Sequence, residues 1–372
     1  MGRVGKSLRS RCGSLLGESS RKISPHEEIC FVCFIGLERY TSRKEAAQLV
    51  SSTFVPASVA VLGAGAVGSY YGAKLARSGI DVTLVGRPIH VEAIERDGLR
   101  VVEGGGEWRA DVRAATDVSA ASRADVVLVT VKTPDTTAAA AALARCVPPH
   151  ARIVSLQNGV DNADRIGAAL DNPVYAAVVY VGVQMDGPGR VRHTGRGDLV
   201  IGVPRAFATR GDSERDLRAI AAMFEASGIA SPIDADIEAA LWTKLTLNCA
   251  FNAISALGHS PYGRMVASPS VRGVMEAVVR EAVAVARAAG ATLDADGLVA
   301  ATWKLAASMP DQYSSTAQDV QRGKATEIDA LNGFVASRGA ELSVDAAVNR
   351  TLHALVKLRE TASRSEGQSS TS

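Results

Sequence analysis

The sequence contains no apolar run near the roughly 20 residues that a membrane-spanning helix requires. Uninterrupted stretches such as residues 29–35 and 138–144 reach seven, and none exceeds eight. A transmembrane helix is therefore excluded. Cysteine is scarce and odd in number (Cys12, Cys30, Cys33, Cys146 and Cys249) and thinly spread, which excludes a disulfide scaffold. Net charge is nearly absent, at +2. No basic or acidic surface is announced, so neither nucleic acid nor a membrane is an expected partner. These absences describe a soluble protein of a reducing compartment, expected to be cytoplasmic.

What remains is an ordinary globular composition, 47% hydrophobic and 22% charged. At 372 residues the chain is too long for one small core, and two domains are expected. Residues 1–58 hold nine Lys/Arg against five Asp/Glu, and the first 25 are rich in Ser and Arg. No apolar segment follows that basic start as a signal peptide would require. Residues 1–57 read as a disordered extension or an upstream-assigned start; a transit peptide is the alternative. Cys30-Phe-Val-Cys33 has metal-ligand spacing but no second pair, and its apolar setting favours a strand.

Order is expected from Ser58. The apolar run 59–62 leads into Gly63-Ala64-Gly65-Ala66-Val67-Gly68 and then a helical pattern. Asp81–Val85, 126–131, an Ala-rich helix from Asp135 and Arg152–Ser155 continue a strand–helix alternation, which implies a parallel sheet covered on both faces. Three short strands near 175–181, 191–194 and 199–201 read as an antiparallel addition at the sheet's edge. From Ser213 the pattern is helical to about Glu360. The expected division is a dinucleotide-type domain over 58–229, an all-helical domain over 230–360, and a disordered tail over 361–372.

A GxGxxG sequence alone is weak, but here it ends a strand and opens a helix, the setting in which it works. Gly63 permits the turn, Gly65 lets a pyrophosphate approach the backbone, and Gly68 lets helix pack on strand. The helix N-terminus offers unpaired N–H groups to phosphate. The second strand ends in Val85-Gly86-Arg87, with no carboxylate for a ribose 2′-hydroxyl. Arg87 suits a 2′-phosphate, so NADP(H) is the expected cofactor; a solvated arginine is the plain alternative.

Further on, Lys244, Asn248 and Asn252 recur at i, i+4 and i+8 within an otherwise apolar helix. Left unpaired in a core, such groups cost about 1–3 kcal/mol each. The stripe must face water or a polar ligand. Asparagine is a poor choice for a merely solvated helix face, which leaves both readings open.

Taken in order, Gly63-Ala-Gly-Ala-Val-Gly68, Val131-Lys132-Thr133, Gln157-Asn158-Gly159, His193-Thr-Gly195, Trp242-Thr-Lys244-Leu-Thr-Leu-Asn248, Ser314-Ser315 and Thr326-Glu327-Ile-Asp-Ala-Leu-Asn-Gly333 resemble the motifs of the ketopantoate reductases (2-dehydropantoate 2-reductases). The resemblance runs from about residue 59 to 360. It implies a Rossmann-type NADP-binding domain, a helical domain like that of 6-phosphogluconate dehydrogenase, and NADPH-dependent reduction of 2-dehydropantoate to pantoate in pantothenate biosynthesis. It further implies Lys244 as catalytic lysine, with Glu327 as the acid at the cofactor. Asn158 would touch cofactor and substrate, and Lys132 would lie near the nicotinamide. Asn248, Asn252 and Ser315 would hold substrate, Ser315 through its carboxylate. Tyr262 stands where the family often has an asparagine, which leaves the identity of the 2-keto acid open. The expected assembly is a monomer or homodimer.

Each motif has a plain structural reading as well. Asn158-Gly159 is an ordinary turn pair, Ser315-Thr-Ala-Gln318 a capping box, Glu327 an exposed helical carboxylate, and Lys132 a strand-end lysine. Two other functions compete: a reductase of another branched 2-keto acid, and a non-catalytic NADP(H) sensor. The lysine–asparagine stripe argues against the sensor, which needs no proton donor.

Overall fold

The computed structural model describes residues 54–369, so the Cys30–Cys33 pair and nearly all of the N-terminal extension lie outside it. Order begins before Ser58. The Ala57 and Ser58 N–H groups both donate to the Asp125 carboxylate, at 3.0 and 2.9 Å. The Arg152 guanidinium lies 3.8 Å over the Phe54 ring. Residues 54–57 thus belong to the folded unit, because the partly buried Asp125 carboxylate and the Arg152 guanidinium both hold them.

The N-terminal part alternates as its pattern predicts. In chain order it runs β1 (Ser58–Leu62), α1 (Ala66–Arg77), β2 (Asp81–Val85), α2 (Pro88–Asp97), β3 (Leu99–Glu103), β4 (Gly106–Ala110), β5 (Arg113–Ala115), β6 (Val126–Val129), α3 (Thr136–Leu143), β7 (Arg152–Ser155), α4 (Asn162–Gly167), β8 (Val174–Met185), β9 (Arg190–Gly202) and α5 (Ser213–Ala226). The strands form one nine-stranded mixed sheet in the order β4-β3-β9-β8-β7-β6-β1-β2-β5. Alternate side chains serve opposite faces, as strand geometry requires. Val59, Val61 and Leu84 meet Leu75 of α1 and Phe224 of α5. Leu62, Val127 and Val129 meet Leu143 of α3 and Ile166 of α4.

The antiparallel region departs from expectation. In place of three short edge strands there are two long ones, β8 and β9, whose register shifts at Tyr180/Val181 and Gly182/Val183. They do not form the edge. β3 pairs in parallel with β9, and β4 closes the sheet beyond it. The β3–β4 turn is Gly104-Gly105, with φ of +59° and +81°. Paired left-handed residues give the two-residue hairpin turn whose twist suits the flanking strands.

The C-terminal part is helical: α6 (Ile237–Gly258), α7 (Tyr262–Ala267), α8 (Pro269–Ala288), α9 (Ala295–Ser308), α10 (Ser315–Gln321), α11 (Asn332–Glu341) and α12 (Ala347–Ser369). Leu245, Cys249 and Ala253 of α6 are buried with Val278, Val279 and Ala282 of α8 and with Val335 and Val356. Asp236 caps α6 through the Ala239 N–H. The residue that stops it is His259, in the left-handed conformation.

The last helix continues to Ser369, past the Thr361 boundary set for a disordered tail. Leu352, Val356 and Glu360 anchor it, one turn apart on a single face. Glu360 is buried and accepts the Thr326 N–H at 2.8 Å. Burial works to raise its proton affinity, but bonds from Thr326 and Lys357 outweigh that and hold the carboxyl below the usual range. The stabilisation is complete near neutrality and is lost as pH falls through that depressed value. Glu360→Ala, which orphans the buried Thr326 N–H, should lower stability by about 1–3 kcal/mol in denaturant titrations at pH 7. Glu360→Gln should lose less, because its amide oxygen can still accept the Thr326 N–H.

Candidate active site

The glycine loop is packed on one side and open on the other. Gly63 has φ +117°, and a Cβ there would come within 2.8 Å of the Thr130–Val131 peptide. At Gly68 a Cβ would lie 2.2 Å from the Gly63 carbonyl oxygen, so helix and loop touch directly. Thr130 Oγ1 donates to that same carbonyl at 2.8 Å, while Gly63 and Ala64 donate to the Val85 carbonyl. Gly65 is different. It is exposed, its φ is −84°, and a Cβ there meets nothing within 4 Å. Packing requires Gly63 and Gly68; only an approaching ligand requires Gly65. The first N–H groups of α1, at Ala66, Val67 and Gly68, have no partner within the helix and face the same opening.

Arg87 sits at the N-cap of α2, just beyond β2. Its side chain is exposed and has no hydrogen-bond or ion-pair partner among the described residues. It stands where an added phosphate on the adenosine ribose of a dinucleotide is recognised in folds of this kind.

Across the cleft, α6 packs on β8 and carries the polar stripe. The Lys244 Nζ donates to Asn158 Oδ1 at 2.9 Å and to the Val179 carbonyl at 2.6 Å. The Asn158 Nδ2 donates to Glu327 Oε2 at 3.1 Å. Glu327 also accepts the Thr133 N–H at 3.2 Å, at the start of the turn leading into α3. One amide therefore joins the lysine to the acid. Its backbone is held just as firmly, since Thr133 Oγ1 and Asn162 Nδ2 both donate to the Asn158 carbonyl, at 2.8 and 2.7 Å. Behind them the Gln157 Nε2 donates to the Val131 carbonyl and to Thr136 Oγ1, and Thr136 in turn donates to Asn162.

Desolvation pushes the Lys244 ammonium down to about 8; Glu327 partly restores it, and Arg196 lowers it further. Such a value lets the amine give up a proton near neutral pH. An ammonium has three N–H donors. Two are taken here, and the third is available to a substrate oxygen.

The other expected residues fall into place unevenly. Asn252 is buried and donates to Ser315 Oγ at 3.3 Å. The intervening Asn248 is partly exposed and has no side-chain partner among the described residues. The capping reading of Ser315 is corrected: Ser314 is the N-cap of α10, accepting the Ala317 N–H, which leaves the exposed Ser315 hydroxyl to Asn252. Glu327 precedes a short 3-10 turn and is not an exposed helical carboxylate. Lys132 is engaged across the cleft, with Asp319 at 2.9 Å and the Ala325 carbonyl at 2.7 Å. Tyr262 stacks on Phe251 with centroids 4.1 Å apart, and burial raises its phenol to about 12. His193 stacks on Tyr70 and pairs with Glu103, bracing β9. Sequence reasoning missed Thr133, Asn162, Tyr180 and Arg196 as neighbours of the site. Only Thr133 left a signal, as the residue following Lys132.

The loop geometry separates two substitutions. Gly68→Ala should cost more than about 2 kcal/mol of stability, because a backbone carbonyl blocks it. Gly65→Ala should leave the melting temperature unchanged and weaken dinucleotide binding at least about tenfold, measured by titration calorimetry.

Known proteins resemble this chain in sequence and fold along most of its length. Residues 59–206 match the family model "Ketopantoate reductase PanE/ApbA", and residues 236–360 match its C-terminal counterpart. The chain is 36% identical over 309 residues to the 2-dehydropantoate 2-reductase of Halobacterium salinarum, covering 81% of this chain and 98% of that one. With the enzyme of the same name from Archaeoglobus fulgidus it shares 34% over 299 residues, covering 80% and 96%. Among solved structures, a PanE/ApbA family ketopantoate reductase from Ralstonia eutropha superposes with a TM-score of 0.76 at 46% identity, covering 82% of this chain and 99% of that one. D-mandelate dehydrogenase bound to NADH and anilino(oxo)acetate has the same TM-score at 22% identity, a likeness of fold. With both family models in register and relatives this similar along nearly their whole length, the chain belongs to the ketopantoate reductase family, nicotinamide-dependent reductases of 2-keto acids.

Proposed function

We propose that this protein reduces 2-dehydropantoate to pantoate with NADPH, on the way to pantothenate. The observation that carries the reading is the Lys244–Asn158–Glu327 chain, which holds a lysine ammonium, lowered to about 8 by desolvation, next to the turn that follows β6. The residues fit a dinucleotide. Gly65 leaves room, the α1 N-terminus faces phosphate, Arg87 suits a 2′-phosphate, and Glu327 and Asn158 are placed for the nicotinamide end. A nicotinamide bound there supplies a hydride to the keto carbon.

The protein's own part is electrostatic and acid–base. Lys244 stabilises the negative charge that gathers on the keto oxygen and gives it a proton. Asn158 keeps the ammonium aimed, and Glu327 keeps it charged. Ser315 and Asn252 offer a hydroxyl and an amide to the substrate carboxylate, and Asn248 presents a free amide between them and Lys244. Lys132 belongs to the rim of the nicotinamide site.

A second reading, another branched 2-keto acid, is favoured by one observation. Tyr262, which stands where the family often has an asparagine, is stacked on Phe251, the neighbour of Asn252 in the chain, and brings no amide. Loss of NADPH absorbance with 2-dehydropantoate and a panel of other 2-keto acids decides between them. A kcat/KM for another acid above that for 2-dehydropantoate would overturn the first reading.

Lys244→Ala should lower kcat about 100- to 10,000-fold while the Kd for NADPH stays within about twofold. Because the donor must be protonated, wild-type kcat/KM for reduction should fall as pH rises through about 8, and the reverse oxidation should gain over the same interval. A flat profile across pH 7–9 would remove Lys244 as the proton donor.

Ser315→Asp keeps an acceptor for Asn252 but sets a negative charge against the substrate carboxylate. KM should rise at least about tenfold with an unchanged melting temperature. An unchanged KM would place the carboxylate elsewhere.

A further inference from the structure

We propose that the helical part of the chain contributes a second cation, Lys324, to the 2′-phosphate of NADP(H), so that this group is clasped from both sides of the cleft. The inference rests on the reading of NADP(H) as cofactor and adds a specificity-determining residue to it.

The segment from Asp319, late in α10, to Glu327 reaches over to the sheet and its loops at several points. Asp319 and the Ala325 carbonyl hold Lys132, Arg322 donates to Gln184 at 2.9 Å, and Glu327 binds Thr133 and Asn158. Lys324 lies in the middle of this run. Gly323 turns the chain at φ +63°, and the Lys324 N–H is fixed to the Asp319 carbonyl at 2.8 Å. Its ammonium is exposed, and no acid pairs with it among the described residues.

On the other side stands the N-terminus of α2, a ten-residue helix with Arg87 at its cap, Pro88 at its first position and no acid in its first turn. His90, in that same turn, is 9% exposed, and its Nδ1 is buried without a partner. Burial disfavours the charged imidazole, and Arg87 and Lys324 disfavour it further. Geometry brings Lys324 to the same corner: the neighbouring Ala325 carbonyl holds Lys132 just beyond β6, and β6 is separated only by β1 from β2, beyond which Arg87 stands. Two cations without an ion-pair partner among the described residues, a helix N-terminus with no acid in its first turn and a buried ring nitrogen without a partner gather positive charge and unused hydrogen-bonding capacity at one corner. A phosphate dianion offsets that repulsion; a ribose hydroxyl does not.

The probes are adenosine 2′,5′-bisphosphate and 5′-AMP, which differ only in the 2′-phosphate, with NADPH and NADH as full-length counterparts, titrated by calorimetry. Lys324→Ala should raise Kd for the bisphosphate and for NADPH at least about tenfold and leave 5′-AMP and NADH within about twofold. Lys324→Arg should restore most of the loss, and the effect should shrink as salt is added. Equal weakening of both ligands of a pair, or no weakening of either, would overturn the role given to Lys324. In the second case a loss in Arg87→Ala confined to the 2′-phosphorylated ligands would show the cofactor reading still standing. Wild-type protein that binds 5′-AMP as tightly as the bisphosphate would overturn both.

Discussion

The site depends on one amide having two unlike ends. Asn158 accepts from Lys244 with its oxygen and donates to Glu327 with its nitrogen, so a carboxylate or an amine in its place loses one of the two bonds. Its carbonyl takes two further donors, Thr133 and Asn162, which belong to the network running through Gln157 and Thr136. Buried polar groups of this kind are stabilising when all are paired and costly when one is lost. The network therefore holds Asn158 in a single orientation, and the lysine on α6 inherits that orientation from a loop of the sheet. Lys244, the proposed proton donor, lies on the helical part, but its aim is set by the other.

The polar stripe of α6 shows how one periodic pattern yields three different environments. Lys244 reaches the sheet, Asn252 is buried against α10, and Asn248 between them keeps its amide for the cleft. Helical spacing put the three on one face, which the sequence displays openly. What each meets depends on segments about 60 to 90 residues away, which periodicity does not encode. The same limit explains Ser314 and Ser315. Both suit a helix start, and only the chain path before α10 decides that the first caps and the second is free. Lys132 has a similar history: a lysine after a strand is legible, but its hold on Asp319 is a matter of tertiary approach.

The fold was most legible where local rules are strict. The passage from β1 through the glycine loop to α1 has one geometry open to it, and the alternation of strand and helix through β7 follows directly. Legibility fell at the hairpins. β8 and β9 carry bulges and a left-handed Arg196, which break the apolar alternation into pieces that read as shorter strands. β3 and β4 hide in a polar stretch around Gly104-Gly105, although that glycine pair is itself a turn signal.

The β3–β4 hairpin has a consequence beyond closing a row of strands. A mixed sheet of nine strands ends in two rims, each able to template another chain. Here one rim is the five-residue β4, bearing Glu107 and Arg109, and the other is the three-residue β5, beginning with Arg113. Glu107 is already tied to Arg190 on β9, and Arg113 to Asp81 on β2. Short, charged rims offer a poor docking line for a foreign strand. The buried, apolar strands β1, β6 and β7 that could seed aggregation are thus kept at least two places from either edge strand.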